Sequence, residues 1–346
     1  MRVAQVLAGA EQGGAENFFV RLVSALNARP ELEIKAFIRN HEHRLQALQA
    51  NGVTTAGFRF GGRLDWPGHW QYRRALKQFQ PDIVMTWMGR ASGTTPHSRD
   101  YALVNRLGHY YNLKYYRHAD YWVGISRGIC QHMIDGGFPA ERVFYIPNFA
   151  DETPVTPLPR TSFATPAEPP LILAAGRLHE NKGFDVLLHS LQQIPDATLW
   201  LAGSGPEEAS LKALCRQLGL EQRVRFLGWR NDVTTLMASV DLFVCPSRHE
   251  GLGSIVMESW AHGCPIVATA SQGPGEAITD GVSGLLTPID DADALARAIQ
   301  RVLDSEELRQ SLIAGGERVY REGYCRDHIV AEYLRLYQQI ANQRAA

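Results

Sequence analysis

The sequence predicts two α/β domains, each a doubly wound parallel sheet, with the carboxyl ends of both sets of strands facing a shared central cleft. Short apolar runs alternate with amphipathic helical patterns along most of the chain, which is typical of parallel sheets covered by helices on both faces. A proline-rich stretch at 151–170 separates two such series. The 346 residues, 45% of them apolar, are enough for two sizeable cores.

The first predicted domain spans residues 1–150. A strand is predicted at 3–7, and Gly13 and Gly14 then open a helix that runs to about residue 27. Further strands are predicted at 33–38, 83–86 and 122–125. The amphipathic C-terminal helix, 328–346, is expected to pack back on this domain.

The second predicted domain spans residues 171–327. Six prolines between 151 and 170 exclude a helix interior and a central strand, so this stretch is the predicted interdomain linker. The predicted strands are 171–175, 198–202, 224–227, 242–245, 265–268 and 284–286, separated by helices such as 207–218 and 293–303. Ligands bind beyond the carboxyl ends of the strands in such sheets, so the loops there are the place to search for a site.

The charge distribution differs between the two halves. The net charge is −1, which gives no indication of a nucleic-acid partner. Residues 1–150 hold 18 Lys/Arg against 11 Asp/Glu, whereas the remainder holds 17 against 25. This asymmetry is either chance variation in composition or a basic half that faces an anionic partner such as a membrane surface.

The cysteines and the apolar runs indicate the compartment. Five scattered cysteines without a Cys-x-x-Cys pair are typical of a reduced cytosolic protein. The apolar segment at 3–10 is too short for a secretory signal, and no run approaches the roughly 20 residues that span a bilayer. We therefore expect a cytoplasmic protein whose membrane contact, if any, is peripheral at the inner face of the plasma membrane.

The most informative stretch is 248–258, where two carboxylates flank a glycine turn. Glu250 precedes the turn, which contains Gly251 and Gly253, and Glu258 lies one turn inside the following helix. Glycines let the backbone approach a ligand, and a helix start favours a phosphate. An isolated pair of acids is usually a surface feature, but this pair can hold hydroxyl groups on either side of a diphosphate. A sugar nucleotide has that layout.

A second motif follows the first strand of the second domain. Arg177 and Lys182 lie five residues apart in a Gly-Arg-Leu-His-Glu-Asn-Lys-Gly loop. Two cations at this spacing can pair with two phosphates and stabilise a departing diphosphate. Alone, the loop would more simply be solvated.

Two weaker motifs follow the next strands. Gly203 and Gly205 belong to a Gly-Ser-Gly-Pro turn that ends a strand and opens a helix, which is a common arrangement. Trp229 and Arg230 follow a further strand, where a base can stack or bond to the backbone. Ordinary packing explains Trp229 equally well.

The order of these motifs resembles the retaining GT-B glycosyltransferases of family 4. The resemblance rests on Gly-Gly-Ala-Glu near the N terminus, Gly-Arg-Leu…Lys-Gly, Gly-x-Gly-Pro and Glu-Gly-x-Gly-x-x-x-x-Glu. It covers nearly the whole chain, most closely over 171–288 and more loosely over 92–116. It implies a GT-B fold and transfer of a sugar, with retained configuration, from a nucleotide diphosphate sugar to a glycan or lipid-linked glycan. Bacterial surface polysaccharide or lipopolysaccharide synthesis is the implied setting.

The resemblance also assigns roles to side chains of the second domain. Arg177 and Lys182 would contact the donor diphosphate, Glu258 would hold the ribose hydroxyls, and Glu250 would hold hydroxyls of the transferred sugar. No metal cofactor is expected, because the two cations already supply the positive charge that a metal would bring.

Backbone groups complete the implied donor site. The amides near Gly253, Ser254 and Ile255 would meet the phosphates. Gly13 and Gly14 match a loop that approaches the diphosphate from the other domain. No residue stands out as a covalent nucleophile, which favours attack on the same face as the leaving group.

His109, in Leu-Gly-His-Tyr-Tyr, is the candidate catalytic histidine of the first domain. Some members of the resembled family place a histidine in this part of the chain, near the reacting centre of the sugar. A histidine beside two tyrosines is often a packing residue instead, and His97 and His118 are nearby competitors.

Two further segments have alternative interpretations. The Asp-Ala-Asp sequence at 291–293 has the form of a metal-binding motif of another transferase fold, but acids at a helix start are expected on dipole grounds. The segment 66–77 mixes aromatic and basic residues, with His69, Arg73, Arg74 and Lys77 on its outer side. That side is either a solvated helix face or a patch for a membrane surface or a lipid phosphate.

Two other functions remain open from the sequence. One is a GT-B enzyme that epimerises or hydrolyses a sugar nucleotide. The other is a non-catalytic protein that binds a sugar nucleotide without turnover. Free-sugar release or isomerisation without an acceptor would indicate the first, and binding without turnover would indicate the second.

Overall fold

The computed structural model describes residues 1–11, 13–61 and 65–345. The chain divides into two compact units. The first unit comprises Met1–Asn148 together with Arg326–Ala346, and the second comprises Phe149–Cys325.

The first unit contains a seven-stranded parallel sheet. Its strands are β1 (Arg2–Leu7), β2 (Glu33–Arg39), β3 (Thr54–Phe58), β4 (Ile83–Trp87), β5 (Ala102–Leu107), β6 (Tyr121–Gly124) and β7 (Val143–Tyr145). They lie in the order β3-β2-β1-β4-β5-β6-β7. The connecting helices are α1 (Gly14–Asn27), α2 (Glu42–Ala50), α3 (Trp66–Phe79), α4 (Met88–Thr94) and α5 (Arg127–Asp135).

The second unit contains a six-stranded parallel sheet. Its strands are β8 (Leu171–Ala175), β9 (Thr198–Ala202), β10 (Val224–Gly228), β11 (Leu242–Cys245), β12 (Ile266–Thr269) and β13 (Leu285–Thr287), in the order β10-β9-β8-β11-β12-β13. Its helices are α6 (Phe184–Gln192), α7 (Glu208–Gln217), α8 (Val233–Met237), α9 (Ser254–Ala261), α10 (Gln272–Ala277), α11 (Ala292–Asp304) and α12 (Glu306–Gly323). Strands β8, β9 and β11 are almost wholly buried, as expected of central parallel strands.

The C-terminal helix α13 (Arg326–Ala345) belongs to the first unit. Tyr337 accepts a hydrogen bond from Gln5 Nε2 at 2.9 Å, and Tyr333 accepts one from Arg106 Nε at 3.0 Å. Both tyrosines are fully buried, so the helix covers the sheet through a polar network as well as through apolar contact.

The stretch 151–170, expected to be a linker, packs on the second unit. Arg160 donates to both carboxylate oxygens of Asp241, at 2.9 and 2.8 Å. Thr165 accepts a hydrogen bond from Trp200 Nε1 at 2.8 Å. The prolines prevent regular structure here, but side-chain contacts still hold the chain against the sheet.

Across the described part of the chain, every helix falls short of the length and hydrophobicity that a bilayer crossing requires.

Candidate active site

The loops after β8, β9 and β10 are fastened together through their backbones. Gly176 N–H donates to Ala202 O at 2.9 Å, and Gly203 N–H donates to Gly228 O at 2.7 Å. A Cβ on Gly203 would lie 1.8 Å from Gly176 O, and one on Gly205 would lie 2.2 Å from Leu178 O. The Gly-x-Gly turn is therefore required for the close approach of two backbones, a structural role that the sequence alone did not reveal.

The cation loop after β8 is held against the segment that precedes the glycine turn. Asn181 O accepts hydrogen bonds from the N–H groups of Arg248 and His249, at 2.8 and 3.2 Å. Gly183 adopts φ 62°, and a Cβ there would lie 2.1 Å from Pro246 O. These contacts place the two predicted motifs side by side.

Arg248 is a positioning residue that sequence reasoning missed. Its guanidinium binds both carboxylate oxygens of Asp185, at 2.9 and 2.6 Å, and also donates to Asp290 at 2.5 Å and to Glu180 O at 2.7 Å. Hydrogen bonds from Arg248 to Asp185 and Asp290 raise the pKa of the guanidinium. Its partners are distant in sequence, so no local pattern indicates this role.

Lys182 and Glu250 form an ion pair at the centre of this region. Their side chains are 26% and 19% exposed, so both are partly shielded from water. Burial by itself lowers the pKa of the Lys182 ammonium, but the charge and hydrogen bond of Glu250 outweigh that effect, and the pKa is raised. The structure thus brings together two of the charged residues that the sequence singled out.

Arg177 lies next to this pair but is not part of it. It directly follows Gly176, and a Cβ on Gly176 would lie 3.5 Å from Lys182 Cε. Arg177 is exposed, and within the described residues it forms no hydrogen bond or ion pair. Its five N–H donors are therefore available to an anion.

The glycine turn after β11 is buried and rigidly supported. Gly251, Leu252 and Gly253 are buried, and Gly253 starts α9 from the left-handed conformation, with φ 69°. Glu250 O accepts a hydrogen bond from Gly273 N–H at 2.8 Å. A Cβ on Gly273 would lie 2.4 Å from the Leu252 carbonyl carbon. The turn is therefore packed tightly against the start of α10.

Helix α9 presents the remaining predicted donor groups. Ser254 and Ile255 form its first turn, whose N–H groups point out of the helix end. Glu258 is partly exposed and lies four residues after Ser254, which puts both on one face of the helix. An anion at the helix end and a hydroxyl group one turn away can be contacted together.

In the segment after β10, Trp229 and Arg230 differ in their exposure and in their contacts. Trp229 is 61% exposed, which is compatible with stacking on a base. Arg230 instead binds its neighbour Asp232 through two hydrogen bonds of 2.8 and 2.5 Å. These bonds use Nε and Nη2 of Arg230, so the side chain stabilises its own loop.

In the first unit, the glycine turn before α1 is held by two buried charged residues. Glu16, 4% exposed, accepts a hydrogen bond from Ala10 N–H at 2.8 Å. Arg44, 2% exposed, donates to Ala10 O and Glu11 O at 2.7 and 2.9 Å. Burial lowers the pKa of Arg44, and the negative charges of Glu16 and Glu11 oppose that shift. We call Glu16 and Arg44 the loop clamp.

The two glycines of this turn differ in their surroundings. A Cβ on Gly13 would lie 2.3 Å from Glu16 Oε2, whereas one on Gly14 would meet no atom of the described residues within 4 Å outside its own helix and chain neighbours. A side chain at Gly13 would therefore displace the Glu16 carboxylate that binds Ala10 N–H. Arg44 was not singled out from the sequence, because an isolated arginine in a polar helix gives no signal.

The three candidate histidines of the first unit differ in position and in their contacts. His109 is exposed in the loop after β5, with its ring centroid 5.8 Å from that of Tyr111. His97 instead contacts Asp120 at 2.9 Å, and Asp120 accepts from Leu103 N–H near the start of β5. His118 lies 3.2 Å from Thr95 O. His109 is thus the histidine at the carboxyl edge of the sheet.

The Asp-Ala-Asp segment has a structural role. Asp291 caps α11 by accepting a hydrogen bond from Ala294 N–H at 2.8 Å, and Asp293 accepts one from Gln193 Nε2 at 2.7 Å. This agrees with the interpretation as a helix start. Among the described residues, no three His, Cys, Asp or Glu side chains form a group able to hold a metal ion.

Comparison with known proteins places the chain in a family. The model described as Glycosyl transferases group 1 matches residues 158–319, and that described as Glycosyltransferase Family 4 matches residues 12–154. The lipopolysaccharide core biosynthesis glycosyltransferase LpsE of Rhizobium meliloti (strain 1021) is 36% identical, over 94% of this chain and 96% of its own length. LpsD of the same organism is 33% identical over 98% of each chain.

A solved structure shows the same fold. The crystal structure of Anabaena Alr3699/HepE in complex with UDP and glucose has a TM-score of 0.85 to this chain at 20% sequence identity, covering 98% of this chain and 100% of that one. The predicted pair of parallel-sheet α/β domains is confirmed. The chain is therefore a glycosyltransferase of family 4 with the GT-B fold.

Proposed function

We propose that this glycosyltransferase moves a hexose-type sugar from a nucleotide diphosphate donor to a glycan or lipid-linked glycan during lipopolysaccharide or related surface polysaccharide synthesis. The names of LpsE and LpsD support the pathway, and the UDP and glucose in Alr3699/HepE support the donor class. The observation that carries the proposal is the Lys182–Glu250 pair, set between the Arg177 loop and the glycine turn.

The donor binds through groups with complementary charge. Arg177 and Lys182 pair with the diphosphate, and the N–H groups of the first turn of α9 add to that positive environment. Glu258 accepts hydrogen bonds from the ribose hydroxyls. Glu250 exchanges its ammonium partner for hydroxyls of the donor sugar, which leaves Lys182 to the phosphate.

The transfer step needs no covalent intermediate with the protein. The acceptor oxygen forms a bond to the anomeric carbon as the bond from that carbon to the diphosphate oxygen breaks. A phosphate oxygen of the leaving group takes the acceptor proton, and attack on the same face retains the configuration. Lys182 and Arg177 stabilise the negative charge that grows on the diphosphate.

The first unit supplies the acceptor side of this proposal. The family resemblance assigns Gly13 and Gly14 to the donor diphosphate and His109 to the transferred sugar near its reacting carbon. The enzyme works peripherally at the inner face of the plasma membrane. The excess of basic residues in 1–150 supports that location.

Two measurements test the proposal. A thermal-shift panel of UDP-, GDP- and ADP-sugars should give one clear stabilising donor, since a ligand at 100 times its Kd adds about 2.7 kcal/mol. With that donor and a lipopolysaccharide core acceptor, NMR of the product should show the anomeric configuration of the donor. Inverted product would refute retention.

The alternatives predict other outcomes in the same assay. Rapid release of free sugar or isomerisation without an acceptor would indicate a hydrolase or an epimerase. Donor binding without turnover for any glycan acceptor would indicate a non-catalytic protein. We expect neither, because the paired Lys182 and Glu250 and the available Arg177 are all in place.

A further inference from the structure

Helix α3 of the first unit exposes an unusual combination of side chains. Two tryptophans and three cations share its outer side, and the helix contains no Asp or Glu. We call these residues the Trp-basic face; they are Trp66, Trp70, Arg73, Arg74 and Lys77. With 3.6 residues per turn, they fall within about 100° of the helix circumference and form one stripe.

The stripe is fixed outward by the packing of the opposite side. Tyr72, Leu76 and Phe79 are 0%, 3% and 6% exposed. The Tyr72 hydroxyl lies 2.8 Å from Thr95 Oγ1, and its ring centroid lies 5.1 Å from that of Phe60. Asp65 caps the helix by accepting from Gly68 N–H at 3.3 Å. The helix therefore cannot rotate to bury its tryptophans.

The two tryptophans are left in water at a free-energy cost. Trp66 is 77% exposed and Trp70 is 61% exposed. Arg74 lies over the Trp70 ring, 5.3 Å from its centroid, which shields little of the indole. Indole rings combine an apolar body with one N–H donor, a combination suited to the headgroup region of a bilayer.

The charges indicate which surface covers this face. Arg73, Arg74 and Lys77 are all exposed, and they lie in the half of the chain with the excess of basic residues. A helix with tryptophans beside cations lies in the plane of a membrane interface and prefers anionic lipids. We infer that the Trp-basic face of α3 binds the surface of an anionic lipid bilayer. This inference depends on the proposed peripheral location but not on the transfer chemistry.

The test uses the full-length protein and vesicles of phosphatidylcholine with or without phosphatidylglycerol. Co-sedimentation should show binding that requires the anionic lipid. Replacing the three cations with Gln should reduce that binding by about 100-fold, since each contributes about 1 kcal/mol near an anionic surface. The double variant W66A/W70A should lose at least about tenfold on the same vesicles.

Matched controls come from the second unit. Trp229→Ala removes a tryptophan that is also 61% exposed, and vesicle binding should not change. The triple variant R297Q/R301Q/R318Q removes three exposed cations from α11 and α12, again with no expected change. Brominated lipid should quench the tryptophan fluorescence of the unmodified protein and much less that of W66A/W70A, which tests contact without relying on affinity.

Other outcomes would overturn the inference. One is equal binding of the unmodified protein and both α3 variants to anionic vesicles. Another is a failure of the unmodified protein to bind such vesicles at all, which would leave the face to a protein partner. Sugar transfer to a delipidated acceptor should be normal in both α3 variants. Failure of the unmodified protein to transfer sugar would refute the proposed reaction but not the inference that α3 binds lipid.

Discussion

The carboxyl edges of the two sheets are built in different ways. At the second sheet, backbone contacts between glycine turns hold the loops, and the charged side chains form a partly shielded pair, Lys182–Glu250. At the first sheet, the loop clamp is buried while His109 stands exposed on its loop. A site held through backbone tolerates few sequences, whereas exposed side chains can vary. Under the proposed function, the second sheet binds the diphosphate that all such donors share, and the first sheet binds the acceptor, which differs between enzymes.

The largest effect on turnover is expected at the Lys182–Glu250 pair of the second unit. Glu250→Ala should lower kcat by about 100-fold to 1,000-fold, because in the proposed mechanism this carboxylate positions the reacting sugar. Steady-state kinetics with saturating donor would measure this. Glu221→Ala, at an exposed carboxylate elsewhere in the unit, is the control and should be neutral. Normal turnover in Glu250→Ala would remove this residue from the chemistry.

One added methyl group can break the backbone contact between Gly203 and Gly176, in the loops of the second sheet. Gly203→Ala places a Cβ 1.8 Å from Gly176 O and should reduce the free energy of unfolding by about 2–3 kcal/mol. In Gly14→Ala, in the first unit, the new Cβ has no contact within 4 Å among the described residues outside its own helix, so this variant should be far less destabilised. Denaturant unfolding of both variants measures the contrast. If the two variants were equally stable, the loops after β8 and β9 would have to move apart at little cost in free energy.

In the first unit, the loop clamp stabilises the glycine turn before α1. Arg44→Met should reduce the free energy of unfolding by about 2 kcal/mol, because Ala10 O and Glu11 O lose their donor and Glu16 remains buried beside them. Arg90→Met, at an exposed arginine, is the matched control for the melting temperature. If the two variants melt alike, the clamp does not stabilise the turn.

The smallest effect is expected at the exposed histidine. His109→Ala should lower kcat/KM by about tenfold or less, because the contact to the sugar proposed for this histidine is exposed to solvent. His97→Ala breaks the contact with Asp120 near the opposite end of β5 and should leave kcat/KM nearly unchanged. A larger kinetic loss in His97→Ala than in His109→Ala would reverse the assignment.

The apolar strands of both sheets were predictable from the sequence, and three others were not. Strand β5 was missed because Asn105 and Arg106 interrupt its apolar run, although both are buried. Asn105 there accepts a hydrogen bond from Thr86 Oγ1 at 2.5 Å, and Arg106 lies 4.2 Å from the Trp87 ring centroid. Strands β3 and β7 are edge strands with few buried side chains.

The clustering of the candidate residues could be predicted where a local motif marks them. The residues around Lys182 and Glu250 lie close in sequence to glycines that the turn geometry demands, so the pattern is readable. Arg248 and Arg44 contact partners far along the chain, and such partners become neighbours only in the folded state. The environment of Arg230 was also unforeseen, because its pairing with Asp232 depends on how the loop turns.

The central claim, that the second unit binds a diphosphate through its two cations, is tested most directly by calorimetric titration. The protein and its Lys182→Ala variant would each be titrated with the nucleoside diphosphate of the preferred donor and with the nucleoside. Because its pKa is raised, Lys182 is charged at neutral pH, and its contribution is lost only as the pH rises through that raised value. The titration can therefore be made at neutral pH. We predict about a tenfold loss of diphosphate affinity with nucleoside affinity unchanged; equal loss for both ligands, or no loss for either, would contradict the account.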